Sequence, residues 1–159
     1  MSQDKMPITV NGKKMLEDEL MNLVHNERPS VIRAIEDARA QGDLSENAEY
    51  DTAKERQALI EGRIQEIQAK LAGAEVIDPT RIVSDRIVFG AKVELIDVES
   101  EEGATYRIVG IDEADVKQGR ISILSPMARA LIGRQVGDVV IVQSPRGEKE
   151  YEVKSFSFA

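Results

Sequence analysis

The sequence predicts an α+β chain in which an antiparallel helical hairpin, a coiled coil, precedes a small β-rich domain. Three observations predict it. Apolar residues recur at alternating steps of three and four through two stretches of about 30 residues each. The connection between those stretches is too short for anything but an antiparallel pair. From Arg86 onward the period changes to two and β-branched residues take over. On this reading residues 1–77 form the hairpin, 78–85 a linker and 86–159 the globular domain.

In the first helix Thr9 is the expected N-cap, although Gly12 lacks the acid that would complete a capping box. Leu16, Leu20 and Leu23 begin an apolar stripe that resumes, after a one-residue slip, at Val31, Ile35 and Ala38. Pro29 lies in the slip, where a missing backbone donor bends or restarts a helix. Gly42 suits the left-handed position just past the helix end. The second helix has the cleaner seam: Tyr50, Ala53, Gln57, Ile60, Ile64, Ile67, Leu71 and Ala74, with Gln57 its polar intrusion and Gly62 off the seam. Asp78-Pro79 is expected to end it. At 1.5 Å per residue the hairpin should reach about 45 Å. A dimerising coiled coil is the alternative, but each stripe already has an intramolecular partner of matching length, so a monomer is expected.

The globular half predicts strands at 92–98, 105–111, 120–124, 138–143 and 150–155. Pro145-Arg146-Gly147-Glu148 reads as the turn joining the last two. Ser125-Pro126 is an N-cap followed by a proline at the first helical position, opening a short helix through Ile132 that Gly133 closes. Asp112-Glu113-Ala114-Asp115 lacks EF-hand spacing and reads as a solvated turn. No glycine-rich phosphate loop and no Ser/His/Asp set occurs here, so this half reads as a binding or scaffolding domain.

Composition narrows the function. The chain has 159 residues, 42% hydrophobic and 31% charged, with a net charge of −8 and no cysteine. The balance suits an elongated, water-exposed molecule. The negative charge argues against general coating of nucleic acid, which needs a basic surface. Disulfides and thiolate metal sites are excluded. The single His25 reads as a solvent-facing helical residue, since no second histidine could join it at a metal. The first residues lead into no apolar run and no stretch approaches membrane-spanning length, so a soluble, cytoplasmic protein without membrane partners is expected.

The connection Gly42-Asp43-Leu44-Ser45-Glu46-Asn47-Ala48-Glu49-Tyr50 is where chemistry concentrates. Asp43 and Glu46 have the form of a capping box, and local spacing favours that reading. A cap needs one good acceptor, however, and the loop carries Asp43, Glu46 and Glu49. The helix dipole keeps such acids ionised, so capping and metal binding are compatible. Two carboxylates on a convex tip are too few to hold Mg²⁺ tightly, and a projecting loop does not shape a pocket. Any chemistry here therefore belongs to a site that another molecule supplies. Arg39 and Lys54 flank the hairpin's midpoint equally and should lie level across it, with Arg33 and Arg56 further back. They could give a phosphate backbone its counter-charge, although ordinary solvated charge is the simpler reading of each.

These residues resemble the Gre transcript-cleavage factors of bacterial RNA polymerase. The tip is similar to the family's defining motif throughout. Further likenesses are Glu61-Gly62-Arg63-Ile64, Phe89-Gly90-Ala91, Tyr106-Arg107-Ile108-Val109-Gly110 and Ser125-Pro126-Met127-Ala128-Arg129-Ala130-Leu131-Ile132-Gly133, spread in order from about Thr9 to Val153. The resemblance implies a coiled coil followed by an FKBP-like domain that docks at the rim of the polymerase secondary channel. The tip would reach the polymerase active site and stimulate the polymerase's own hydrolysis of backtracked RNA, rescuing an arrested complex. Asp43 and Glu46 would stabilise a second, weakly held Mg²⁺ and orient the attacking water, in two-metal hydrolysis shared between two proteins. Arg39 and Lys54 fall where the family contacts the RNA 3′ end, and Ser125, Pro126 and Met127 fall in its docking segment. The chain would then be no enzyme by itself but a cofactor of its partner. The Asp43/Glu46 match speaks against the inhibitory homologues, whose tips are arranged differently, and the sparse bases on the hairpin resemble the less basic cleavage-active type. Pro145-Arg146-Gly147-Glu148 departs from the family pattern at a turn expected to vary.

Three other readings compete. A non-catalytic regulator could plug the same channel, indifferent to tip charge. A peptidyl-prolyl isomerase is suggested only by the implied fold, which is poor grounds for activity. A free-standing nuclease lacks a visible pocket or complete metal site.

Overall fold

The computed structural model describes residues 5–42 and 47–158. It divides into two compact units, Lys14–Gly73 and a second made of Met1–Lys13 with Ala74–Ala159. The α+β class agrees with expectation; the division does not follow the expected boundary at residue 77, and its reason lies in two short strands described below.

The helical unit contains α1 (Val10–Asn22, whose first turn belongs to the other unit), a π-helical turn (Leu23–Glu27), α2 (Arg28–Ala40) and α3 (Ala48–Ala72). The slip in the first stripe is this π-turn. An α-helix would bring the Pro29 ring against the carbonyl four residues back. Widening the turn relieves that clash: the Arg28 N–H reaches back five residues to the Leu23 carbonyl, and Pro29 falls in the opening turn of α2. The extra residue also keeps both halves of the stripe on one side. Val31, Ile60 and Ile64 form a buried cluster, with Leu20, Leu23 and Val24 packed against it. Full burial of each such side chain contributes about 1.5–3 kcal/mol, so the seam dominates the hairpin's stability. His25 is exposed, as expected.

Arg–Glu pairs flank the seam and set its register. Arg28 forks onto Glu61 with both bonds at 2.8 Å, Arg63 onto Glu19 at 2.5 and 2.8 Å, and Arg56 reaches Glu27 at 2.8 Å. Exposed pairs of this kind contribute little energy, but bidentate geometry is selective for alignment. The Arg63 guanidinium holds Glu19 below the ordinary glutamate value of 4.5, and Arg28 does the same for Glu61.

The hairpin is rooted by strands that the sequence reading did not anticipate. β1 (Met6–Thr9) pairs in parallel with β2 (Ala74–Ile77), Met6 opposite Ala74 and Thr9 opposite Ile77. Helix α3 therefore stops at Ala72, with Gly73 as its C-cap, rather than running to Asp78; Ala74, expected on the helical seam, is in β2. Residues 6–13 and 74–77 belong to the second unit, which corrects the assignment of all of 1–77 to the hairpin. The expected linker also carries structure, a 3₁₀ turn over Pro79–Arg81 capped by Asp78.

Thr9 caps α1, its Oγ1 accepting from the Gly12 N–H at 3.1 Å. The acid missing from position 12 arrives from elsewhere. Glu113, only 2% exposed, accepts the Thr9 N–H at 3.1 Å and the Thr9 hydroxyl on its two oxygens. A Cβ on Gly12 would overlap the Glu113 carboxyl group, so the absence of a side chain there is what admits it. Residues 112–115 are thus not simply a solvated turn: Ile111–Glu113 is a 3₁₀ turn whose last side chain is buried.

The second unit carries a five-stranded sheet in the order β5-β4-β3-β7-β6, formed by β3 (Lys92–Asp97), β4 (Gly103–Val109), β5 (Arg120–Ser122), β6 (Val139–Ser144) and β7 (Gly147–Ser157). All neighbours are antiparallel except β4 and β5. Each expected strand is present with shifted ends. The β6–β7 turn is tighter than expected, Ser144 pairing directly with Gly147 at φ +115°, which puts Glu148 inside β7. Ile87, Val93, Leu95, Ile108, Leu131 and Val153 lie in one core with α4 (Pro126–Leu131) against it. Phe89, Tyr106, Tyr151, Phe156 and Phe158 are taken up by the same core.

Truncating Ile64 to Ala should destabilise the hairpin by about 2–5 kcal/mol in chemical denaturation, the range for deleting a buried aliphatic side chain. A second expectation concerns acid. Because Glu19 and Glu61 are held below 4.5, their pairs contribute fully above that pH and are lost as pH falls through the lowered values. Thermal melts followed by circular dichroism at pH 6, 4 and 3 should therefore show a flatter acid decline for a Glu19→Gln/Glu61→Gln double variant than for the parent.

Candidate functional site

The far end of the hairpin is built by two helix termini whose caps reach across to each other. Helix α2 stops because Gln41 takes the C-cap and Gly42 follows at φ +104°, its N–H donating to the Arg39 carbonyl at 3.2 Å. This is the role expected of Gly42. Helix α3 starts at Ala48 behind an N-cap, and that cap is Asn47. Its Oδ1 accepts the Tyr50 N–H at 3.1 Å while its Nδ2 donates to the Ala38 carbonyl at 2.7 Å. One side chain thus starts α3 and satisfies a carbonyl of the last turn of α2. Gln41 adds a second strap, donating from Nε2 to Glu49 at 3.0 Å.

The capping-box reading of Asp43 and Glu46 concerns the stretch just before this cap. Asn47 occupies the cap of α3, and Glu49 and Asp51 supply the acids of its first turn. Asp43 and Glu46 themselves lie outside the described residues. The signal for Asn47 was present in the sequence, an Asx residue with acids two and four positions on, but the same loop offered Asp43 three residues before Glu46 and that pattern competed with it.

Arg39 is exposed in the last turn of α2. Lys54 is exposed in the second turn of α3, with its Nζ 3.1 Å from Gln57 Oε1. Arg56, noted among the bases, is committed to Glu27. In the globular unit Ser125 caps α4 through its hydroxyl, accepting the Ala128 N–H at 3.2 Å, Pro126 is exposed, and Met127 is half-buried against the core.

Among the described residues no group of three or more His, Asp or Glu side chains is placed to hold a metal ion. No described helix is long and apolar enough to cross a membrane.

Replacing Asn47 by Ala should cost about 1 kcal/mol in denaturation experiments, the usual loss of an N-cap.

Comparison with known proteins bears on the whole chain. Residues 6–76 match the family described as "Transcription elongation factor, N-terminal", and residues 82–158 match "Transcription elongation factor, GreA/GreB, C-term". A protein named transcription elongation factor GreA from Ralstonia nicotianae is 59% identical over 154 residues, 96% of this chain and 98% of that one. A namesake from Anaeromyxobacter sp. (strain K) is 57% identical over 154 residues, 97% of this chain and 93% of that one. The crystal structure of GreA factor homolog 1 (Gfh1) of Thermus thermophilus is 27% identical, covers 96% of this chain and 98% of its own, and superposes with a TM-score of 0.44. With a family match across both units and relatives identical at more than half of the aligned positions, the chain belongs to the GreA/GreB family of transcription elongation factors.

Proposed function

We propose that this protein rescues backtracked, arrested bacterial RNA polymerase by carrying the hairpin tip into the secondary channel and stimulating the polymerase's own cleavage of the RNA 3′ end. The observation that carries the reading is the closed end of the hairpin, where Asn47 caps α3 and reaches the Ala38 carbonyl of α2. Two acids carried on the connection between α2 and α3 of a cross-braced hairpin suit delivery to another molecule's active site. Asp43 and Glu46 then act as oxygen donors, completing with the polymerase a Mg²⁺ site that neither holds tightly alone and accepting hydrogen bonds from the attacking water. When bound, the ion supplies Lewis-acid activation of water and charge stabilisation at the scissile phosphate. Arg39 and Lys54 face the RNA backbone as counter-charges. Ser125, Pro126 and Met127 mark the docking side of the globular unit, with Pro126 the most exposed of the three. The chain acts as a monomer and is not itself a nuclease.

The test uses stalled, backtracked elongation complexes with saturating factor. Asp43→Asn and Glu46→Gln should each lower the stimulated cleavage rate about 10- to 100-fold, the scale of disturbing a metal site, while binding to polymerase persists. Full stimulation by both variants would overturn the mechanism. Should the variants and the parent alter polymerase pausing alike without cleavage, the non-catalytic channel regulator would be the correct reading.

A further inference from the structure

The hairpin's root, not its tip, holds the one charged side chain that is buried among the described residues, Glu113. Nothing in the proposed chemistry uses it. Its carboxylate accepts the Thr9 N–H, the Thr9 hydroxyl and the Gly110 N–H, the two N–H bonds at 3.1 Å each. The Thr9 hydroxyl in turn accepts the Gly12 N–H. Every partner is a donor, so the ionised form is fully satisfied, which offsets the cost of burying it. The segment bearing Glu113 is itself held, Arg120 Nε donating to the Glu113 carbonyl at 2.9 Å.

Two glycines permit the contact. A side chain on Gly12 would overlap the carboxyl group, and a Cβ on Gly110 would stand 2.9 Å from the Pro7 carbonyl oxygen and 3.3 Å from Glu113 Oε2. If stabilising the first turn of α1 were all that mattered, an acid at position 12 would serve. Supplying the acid from residue 113 does something a local box cannot: it fastens the start of α1 to the connection between β4 and β5. Both ends of the hairpin meet at this place, because β1 leads directly into α1 and β2 follows α3 after Gly73 alone.

We propose that Glu113, acting through Thr9, is a positioning residue for transcript cleavage, holding the first turn of α1 in its capped form. The proposal rests on the function proposed above. From Val10 to Ala40 the helical path is about 45 Å long at 1.5 Å per residue. A misplacement of about 1 Å at reacting groups can cost about 100-fold in rate.

The test compares the full-length protein with Glu113→Gln, Thr9→Val and Thr9→Ser on backtracked elongation complexes, below the melting temperature of every variant. Glu113→Gln and Thr9→Val should lower the maximal cleavage rate about 10-fold or more, while the half-saturating factor concentration changes less than about 2-fold. Hydrogen exchange should quicken in residues 6–16 and stay unchanged in β3 and β7. Thr9→Ser, which keeps the hydroxyl, should match the parent. Gly12→Ala should reproduce the loss, and adding Glu113→Ala to it should cause no further loss. Parent-like maximal rates for Glu113→Gln and Thr9→Val would overturn the proposal while leaving the cleavage function intact. Losses that merely track an unfolded fraction would overturn it too. If the parent itself fails to stimulate cleavage, the functional reading fails first and this proposal with it.

Discussion

A hairpin whose outward faces are largely charged stands only if the apolar stripe of one helix lies against that of the other along its length. Val31 against Ile60 and Ile64 is the centre of that contact, and other features of the hairpin follow from keeping it in register. The stripe on the first helix would rotate off the seam after Leu23 if the helix stayed regular. The π-turn at Leu23–Glu27 absorbs the extra residue and makes room for Pro29 in the same place. Once the seam is aligned, Arg28 meets Glu61, Arg56 meets Glu27 and Arg63 meets Glu19. These pairs add selectivity of alignment more than energy, because all six side chains keep contact with solvent.

The two ends of the hairpin solve the same problem in the same way. Helix termini leave backbone groups without partners, and here both are satisfied by side chains from across a turn or from a distant segment. At the tip, Asn47 starts α3 and reaches the carbonyl of Ala38 in α2. At the root, Glu113 completes the cap of α1 begun by Thr9. Borrowed caps bind separate segments together, which a cap made within one segment cannot do. At the tip that work falls to a neutral side chain, Asn47, which holds the start of α3 against the end of α2.

Much of the architecture was legible in residue order. The seam from Ala53 to Ile67, the turn at Gly42, the cap at Thr9, the Ser125-Pro126 helix start and the five strands of the sheet all follow from local periodicity and turn chemistry. What escaped has a common cause. β1 and β2 are four residues each, too short for a period to register, and they exist because each supplies the other's hydrogen bonds. Asp112-Glu113-Ala114-Asp115 looks like any solvated acidic run, and only the approach of Thr9 and Gly12 distinguishes Glu113 from its neighbours. The cap at Asn47 was obscured by the Asp43–Glu46 pattern that begins four residues earlier. The π-turn registered as a slip, but its geometry did not.

By itself, then, residue order determined the class of fold, the two long stripes and the place where acids would gather, because each depends on spacing along a single helix or strand. Tertiary structure alone decided where α3 yields to β2, which side chain caps α3, and that Glu113 closes the cap of α1. Those outcomes depend on groups far apart in the chain competing for the same hydrogen bonds and the same space, and that competition is settled only when the segments meet.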